Sequence, residues 1–216
     1  QGYSPFTTWT RGHAWILCGY AEQLEFIQTL PTGELEPFGG KEAVLSRFER
    51  VARATADFYL HHTPLDGIPY WDTGAPGLVH LGDYLNRPAD PFNDHEPVDS
   101  SAAAIAAQGL YRYGKWLLTR GRASEGNHRI AAALTIARTL FSAPYLSEDP
   151  QHEGLLLHSV YHWPNGWDHV PEGKRIPSGE ACMWGDYHLL ELALLLLRDA
   201  RQQPYLTFLP FSYPNP

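Results

Sequence analysis

Apolar residues recur at helical spacing in five stretches, and between them the period is lost. The first stretch runs from about Thr8 to Thr29, with Thr7 and Thr8 where a helix cap belongs, and ends on Pro31-Thr32-Gly33. The second opens near Lys41 and stops before Pro64. It sets Val44, Phe48, Val51, Ala52 and Tyr59 on one face, with Arg47 and Glu49 opposite. The third, about 100–119, is capped by Asp99-Ser100, and its first turns are almost all alanine, small enough for backbones to approach closely. The fourth, about 124–142, has Ser124 as cap and Ile130, Leu134, Ile136 and Leu140 turned inward. The last opens on Ser178-Gly179-Glu180 and reaches about Ala200.

Two long irregular segments, 62–98 and 144–178, separate these helices. Only Ile68–Asp72 and Leu155–Tyr161 read as short strands, and connections of such length in a compact domain are usually functional. The helices opening near Thr8, Asp99 and Gly179 are poor in charge all round, whereas the two between them are amphipathic. Concentric rings need that alternation, with three inner helices, two outer ones, and the loops before the inner helices gathered at one mouth. The predicted class is all-α, as a single domain over 1–216, with the proline-rich tail from Pro204 wrapping the surface.

Composition narrows the function. A hydrophobic share of 44% with 13% aromatic residues fits a globular core, and seven Trp with twelve Tyr suit stacking on sugar rings as well as a helical core. A net charge of −8 argues against a nucleic-acid or anionic-membrane surface. No apolar run reaches 18 residues; the longest, Leu189–Leu197, is interrupted by Glu191. Cys18 and Cys182 both fall in predicted helices and read as reduced core thiols. Adjacent His61 and His62 diverge on a helix, and His158 and His162 have no Cys or carboxylate at ligand spacing, so no metal or other cofactor is predicted. The chain opens on Gln1-Gly2-Tyr3 and reads as part of something longer; the compartment stays open, cytoplasmic or periplasmic if the source is bacterial.

The candidate chemistry lies in Thr7-Thr8-Trp9-Thr10-Arg11-Gly12-His13-Ala14-Trp15. Two indoles with a guanidinium and an imidazole between them form a wall for flat or ring-shaped ligands, and the Arg11 fork suits a carboxylate or sulfate. The alternative is that both tryptophans are core residues and Arg11 holds a neighbouring loop.

Trp-x-Arg-Gly-x-Ala-Trp resembles a signature of the unsaturated glucuronyl hydrolases, glycoside hydrolase family 88. Asp99-Ser100-Ser101-Ala102-Ala103-Ala104-Ile105-Ala106-Ala107 and Met183-Trp184-Gly185-Asp186-Tyr187-His188-Leu189-Leu190-Glu191 agree with it, in the family's order. The resemblance implies roughly the second half of an (α/α)6 barrel. It also implies release of a Δ4,5-unsaturated uronic acid from the non-reducing end of glycosaminoglycan or similar oligosaccharides. An aspartate protonates the alkene, water adds, and the resulting hemiketal falls apart. By the same resemblance Gln1, Trp9, Arg11, Trp15 and Tyr161 are substrate-binding, as is His13, which stands where the family has glutamine. The segment from Trp163 to Pro177 is an insertion against that pattern. The family's catalytic aspartates precede the Trp-x-Arg-Gly motif and match no residue here, so the catalytic residues are unknown. Asp99 reads as a helix cap and Asp186 as structural. The implied partners are an unsaturated uronyl oligosaccharide and the N-terminal half of the barrel or a second chain, because a half-ring leaves apolar faces uncovered. The alternative function is a non-catalytic, sugar-binding helical domain.

Overall fold

A computed structural model describes residues 2–207. Five α-helices carry it: α1 Thr10–Thr29, α2 Lys41–His61, α3 Ser100–Thr119, α4 Ala123–Leu140 and α5 Met183–Ala200. α1, α3 and α5 lie side by side with α3 in the middle, while α2 backs α1 and α4 backs α3. The three front helices run in one direction. Arg11 meets Asp99 at their N-terminal ends, and Glu25 meets Arg112, and Lys115 meets Asp199, toward their C-terminal ends. This is the predicted double layer.

The sequence of α3 explains its central place. Of its 20 residues 17 are buried, including the whole run Ala102–Ala107. Glycine closes the remaining gaps: a Cβ on Gly109 would lie 2.8 Å from the Cys18 backbone on α1, and one on Gly114 would lie 2.8 Å from the Gly126 carbonyl on α4. Interiors packed to crystal-like density leave no room for such an atom. By contrast α5 buries only one face, through Gly185, Leu189, Leu192 and Leu195. Met183, Tyr187, Leu190, Leu194 and Leu197 form an exposed apolar stripe along the other.

The structure corrects the sequence reading in several places. Thr7 and Thr8 do not cap α1; Trp9 holds the cap position without a side-chain bond, and the first helical N–H, from Thr10, is taken by the Trp71 carbonyl. α4 starts after Arg122 with no side-chain cap, and its Leu134 faces solvent. α5 starts at Met183 because residues before it serve the neighbouring loop: the Glu180 carbonyl accepts from Ser159 N–H, and Gly179 is left-handed at φ 84°. The two expected strands are isolated bridges only, Trp9 with Asp72, Tyr70 with Val98, and Leu146 with Leu156. In the second case the backbone turns at His158, left-handed at φ 63°, and its neighbours bond to helix ends in place of a ladder.

Candidate functional site

The first turn of α1 builds an aromatic cluster. Gly12 lies three residues after Trp9, and a Cβ there would sit 2.5 Å from the Trp9 ring. Only a bare α-carbon lets that indole fold back over the helix. Trp15 follows Arg11 by four residues and so shares its face. The Arg11 guanidinium lies 5.0 Å from the Trp9 ring centre, 5.8 Å from that of Trp15 and 4.7 Å from that of Trp184 on α5. Trp9 and Trp15 themselves meet edge to face, centres 5.6 Å apart. One cation thus gathers three indoles by attraction to their electron-rich faces.

Both terminal nitrogens of Arg11 are engaged within the protein, while its buried Nε has no hydrogen-bond partner. One terminal nitrogen reaches Asp99 at 3.3 Å, Ser101 Oγ at 3.4 Å and the Val160 carbonyl. The other donates to the Tyr161 carbonyl at 2.7 Å. Asp99 in turn caps α3, accepting from Ser101 and Ala102 N–H. Ser100 completes the fastening, its N–H bonding the His158 carbonyl at 3.1 Å and its hydroxyl the Leu157 carbonyl at 2.7 Å. In this arrangement Arg11 lies beneath the surface and holds the 158–161 arc, the loop-holding alternative of the sequence reading.

That arc presents Tyr161, which is 45% exposed, while Trp15 is 40% exposed. Tyr161 stacks on Trp184, centres 5.0 Å apart, and on Trp167, centres 5.7 Å apart. Trp9, Arg11, Trp15 and Tyr161 therefore come together in one group. His13 does not. It projects from the opposite face of α1, bonds the Thr55 carbonyl of α2 at 2.8 Å and packs on Phe58, and burial lowers its pKa. The two positions are 200° apart around a helix, which separates His13 from Arg11. Gln1 lies outside the described residues. The sequence reading missed Trp184 and Trp167. The first had a signal, since it is the second residue of one of the three motifs; the second had none beyond being a tryptophan in an insertion.

The aspartates on these elements are already occupied. Asp72 accepts from Tyr3 and Gly74 N–H, and Asp168 from Tyr161 and His162 N–H. Asp186 accepts from Leu155 and Leu156 N–H at the edge of a cavity of about 450 Å³ that His152, Glu153 and Glu180 also line. Under the arc, burial holds His158 at about pKa 4, neutral, with its Nδ1 accepting from Gly179 N–H. Burial pushes the Cys182 thiol up to about 11 and the Cys18 thiol further still, so both stay protonated at neutral pH. Among the described residues no three His, Cys, Asp or Glu side chains are grouped to hold a metal ion. No described helix is long and apolar enough to cross a membrane.

No family model matches the chain. Among curated proteins it is similar to the unsaturated glucuronyl hydrolase of Bacillus sp. strain GL1, 29% identical over 198 residues, covering 92% of this chain and 41% of that protein. It is 28% identical over 200 residues to the unsaturated chondroitin disaccharide hydrolase of Streptococcus pyogenes serotype M1, covering 92% and 39%. A solved structure, the unsaturated glucuronyl hydrolase of Bacillus sp. GL1 described as responsible for the degradation of glycosaminoglycan, superposes with a TM-score of 0.65. The identity is 27%, over 92% of this chain and 42% of that one. The chain thus spans about two fifths of the length of the relatives it matches, and its fold is the matching part of their (α/α)6 barrel.

Proposed function

We propose that this chain, which matches the C-terminal half of the unsaturated glucuronyl hydrolase family, supplies the sugar-holding wall of a glycoside hydrolase. Its substrate is an oligosaccharide, of glycosaminoglycan or similar type, ending in a Δ4,5-unsaturated uronic acid. The observation that carries the reading is the cluster of Trp9, Trp15, Trp184 and Tyr161 around one buried guanidinium, partly open to solvent. Aromatic faces bind the apolar face of a pyranose at low entropic cost, because the rings are already fixed. Arg11 acts here as a positioning residue, setting the height of Tyr161 through its backbone.

Hydration of the double bond needs an acid that gives a proton to the alkene carbon and a water that adds to its neighbour. Asp72, Asp99, Asp168 and Asp186 each accept backbone N–H bonds, which favours a wall that binds over one that protonates. The acid is then supplied by residues outside this chain's matched part, on the same polypeptide or a second one. That same complement would cover the apolar stripe of α5.

The test follows the loss of ultraviolet absorption of the conjugated double bond in unsaturated chondroitin or hyaluronan disaccharides. The 216-residue chain alone should turn over about 10²–10⁴-fold more slowly than the chain completed by the N-terminal half, the usual cost of a missing general acid. Binding without turnover in both forms would favour the alternative, a non-catalytic sugar-binding domain. Full turnover by the chain alone would place the acid within it, and Asp186 and Asp99 would be the first residues to replace.

A further inference from the structure

Residues 161–168 fold into a closed hook. Tyr161 and His162 donate their backbone N–H groups to the two oxygens of Asp168, the second at 2.8 Å. Between them Trp163–Asn165 makes one 3₁₀ turn, closed by the Gly166 N–H on the Trp163 carbonyl at 2.9 Å. Gly166 is left-handed at φ 65°, a conformation a side chain would resist. That reversal lays Trp167 back over the start of the hook, its ring 5.7 Å from Tyr161 and 5.0 Å from His162.

The result is a continuous stack. Arg11 lies under Trp184, Trp184 under Tyr161, and Tyr161 under Trp167. Tyr161 therefore packs on two indoles, while 45% of it stays exposed. At the outer end stands Trp167, which is 60% exposed. A large apolar ring left that open forgoes much of the stabilisation that burial would bring. The Asp168 carboxylate and the glycine turn fix the hook's backbone, and the Trp167 ring rests on Tyr161 and His162, so less freedom remains for a ligand to remove.

We propose that Trp167 is a specificity-determining residue that stacks on a second pyranose, next to the ring held against Trp15, and so selects substrates longer than a disaccharide. The proposal rests on the sugar-hydrolase reading above and adds the subsite that the 163–177 insertion builds. Calorimetric titration of the full chain with an unsaturated hyaluronan disaccharide and tetrasaccharide tests it. Trp167→Ala should weaken the tetrasaccharide by about tenfold, a typical worth of one ring stack, and the disaccharide by less than about twofold. Trp167→Phe, which keeps a flat ring on the same hook, should recover most of the loss. Equal weakening of both sugars, or no change in either, overturns the subsite while leaving the wall intact. Failure of the unsubstituted chain to bind either sugar overturns the underlying reading, and the subsite with it.

Discussion

Two arginines tie α1 to α3 at opposite ends of the same layer, and they are built differently. Arg11, at the mouth, is 3% exposed and faces a single carboxylate, Asp99, with its terminal nitrogens also on two loop carbonyls and three indoles around it. Arg112, at the far end, is 4% exposed and faces two carboxylates, Glu25 at 2.9 Å and Glu22 at 3.8 Å. It also donates to the Leu206 carbonyl at 2.8 Å, and Tyr205 donates to Glu25 at 2.6 Å, so this end clasps the tail. Burial raises the carboxyls of both Glu22 and Glu25, with Arg112 only partly opposing it. One cation per carboxylate fixes a loop; one cation for two leaves a site that can take up a proton.

The sharpest way to break this comparison is to remove the mouth cation. Arg11→Leu strands Asp99, which is fully buried, and frees two carbonyls. The expected cost is about 3–5 kcal/mol in denaturant unfolding, as for a buried pair that loses one partner. A cost below about 1 kcal/mol would mean that the indoles and loop hold without the charge.

Next comes acid. His158 titrates near 6.5 when unfolded and at about 4 under the arc. Its folded value is depressed, so the stability it supports is present above 6.5 and is lost as pH falls toward 4. At about 1.4 kcal/mol per pKa unit the loss approaches about 3 kcal/mol. His158→Asn, which tolerates the left-handed backbone, should remove that slope; an unchanged slope would assign it to another group.

The far end should respond with the opposite sign. Arg112→Leu should cost about 1.5–3 kcal/mol at neutral pH, the worth of hydrogen bonds to charged groups. Glu22 and Glu25 have raised pKa values when folded, so their contribution is fullest below the ordinary Glu range and is lost as pH rises through the folded values. The deficit of this variant should therefore shrink as pH is lowered. A deficit that stays constant or grows in acid would show that neither Glu22 nor Glu25 takes up the proton.

Much of the scaffold was legible in the residues. α2 and α3 begin and end where the pattern placed them, and Asp99 caps α3 as its type and position suggest. The buried alanine run marks the crowded centre. What the pattern missed was decided by contacts between distant segments: the start of α5 waits for Glu180 and Ser159, and the 155–161 stretch bends to serve Arg11 and Ser100. His13 could have been set apart by helical geometry alone.

By itself the sequence determined the helices, the all-round burial of α3, and the Trp-x-Arg-Gly-x-Ala-Trp turn, because period, capping and glycine spacing act over a few residues; it expected the same burial of α1 and α5, which bury one face each. Only the tertiary structure decided that Arg11 serves the 158–161 arc and that Trp184 and Trp167 join the cluster through Tyr161. The Arg11 contact with Tyr161 joins residues 150 positions apart in sequence, and no local period encodes which donor will find which carbonyl once α1, α3 and α5 have packed.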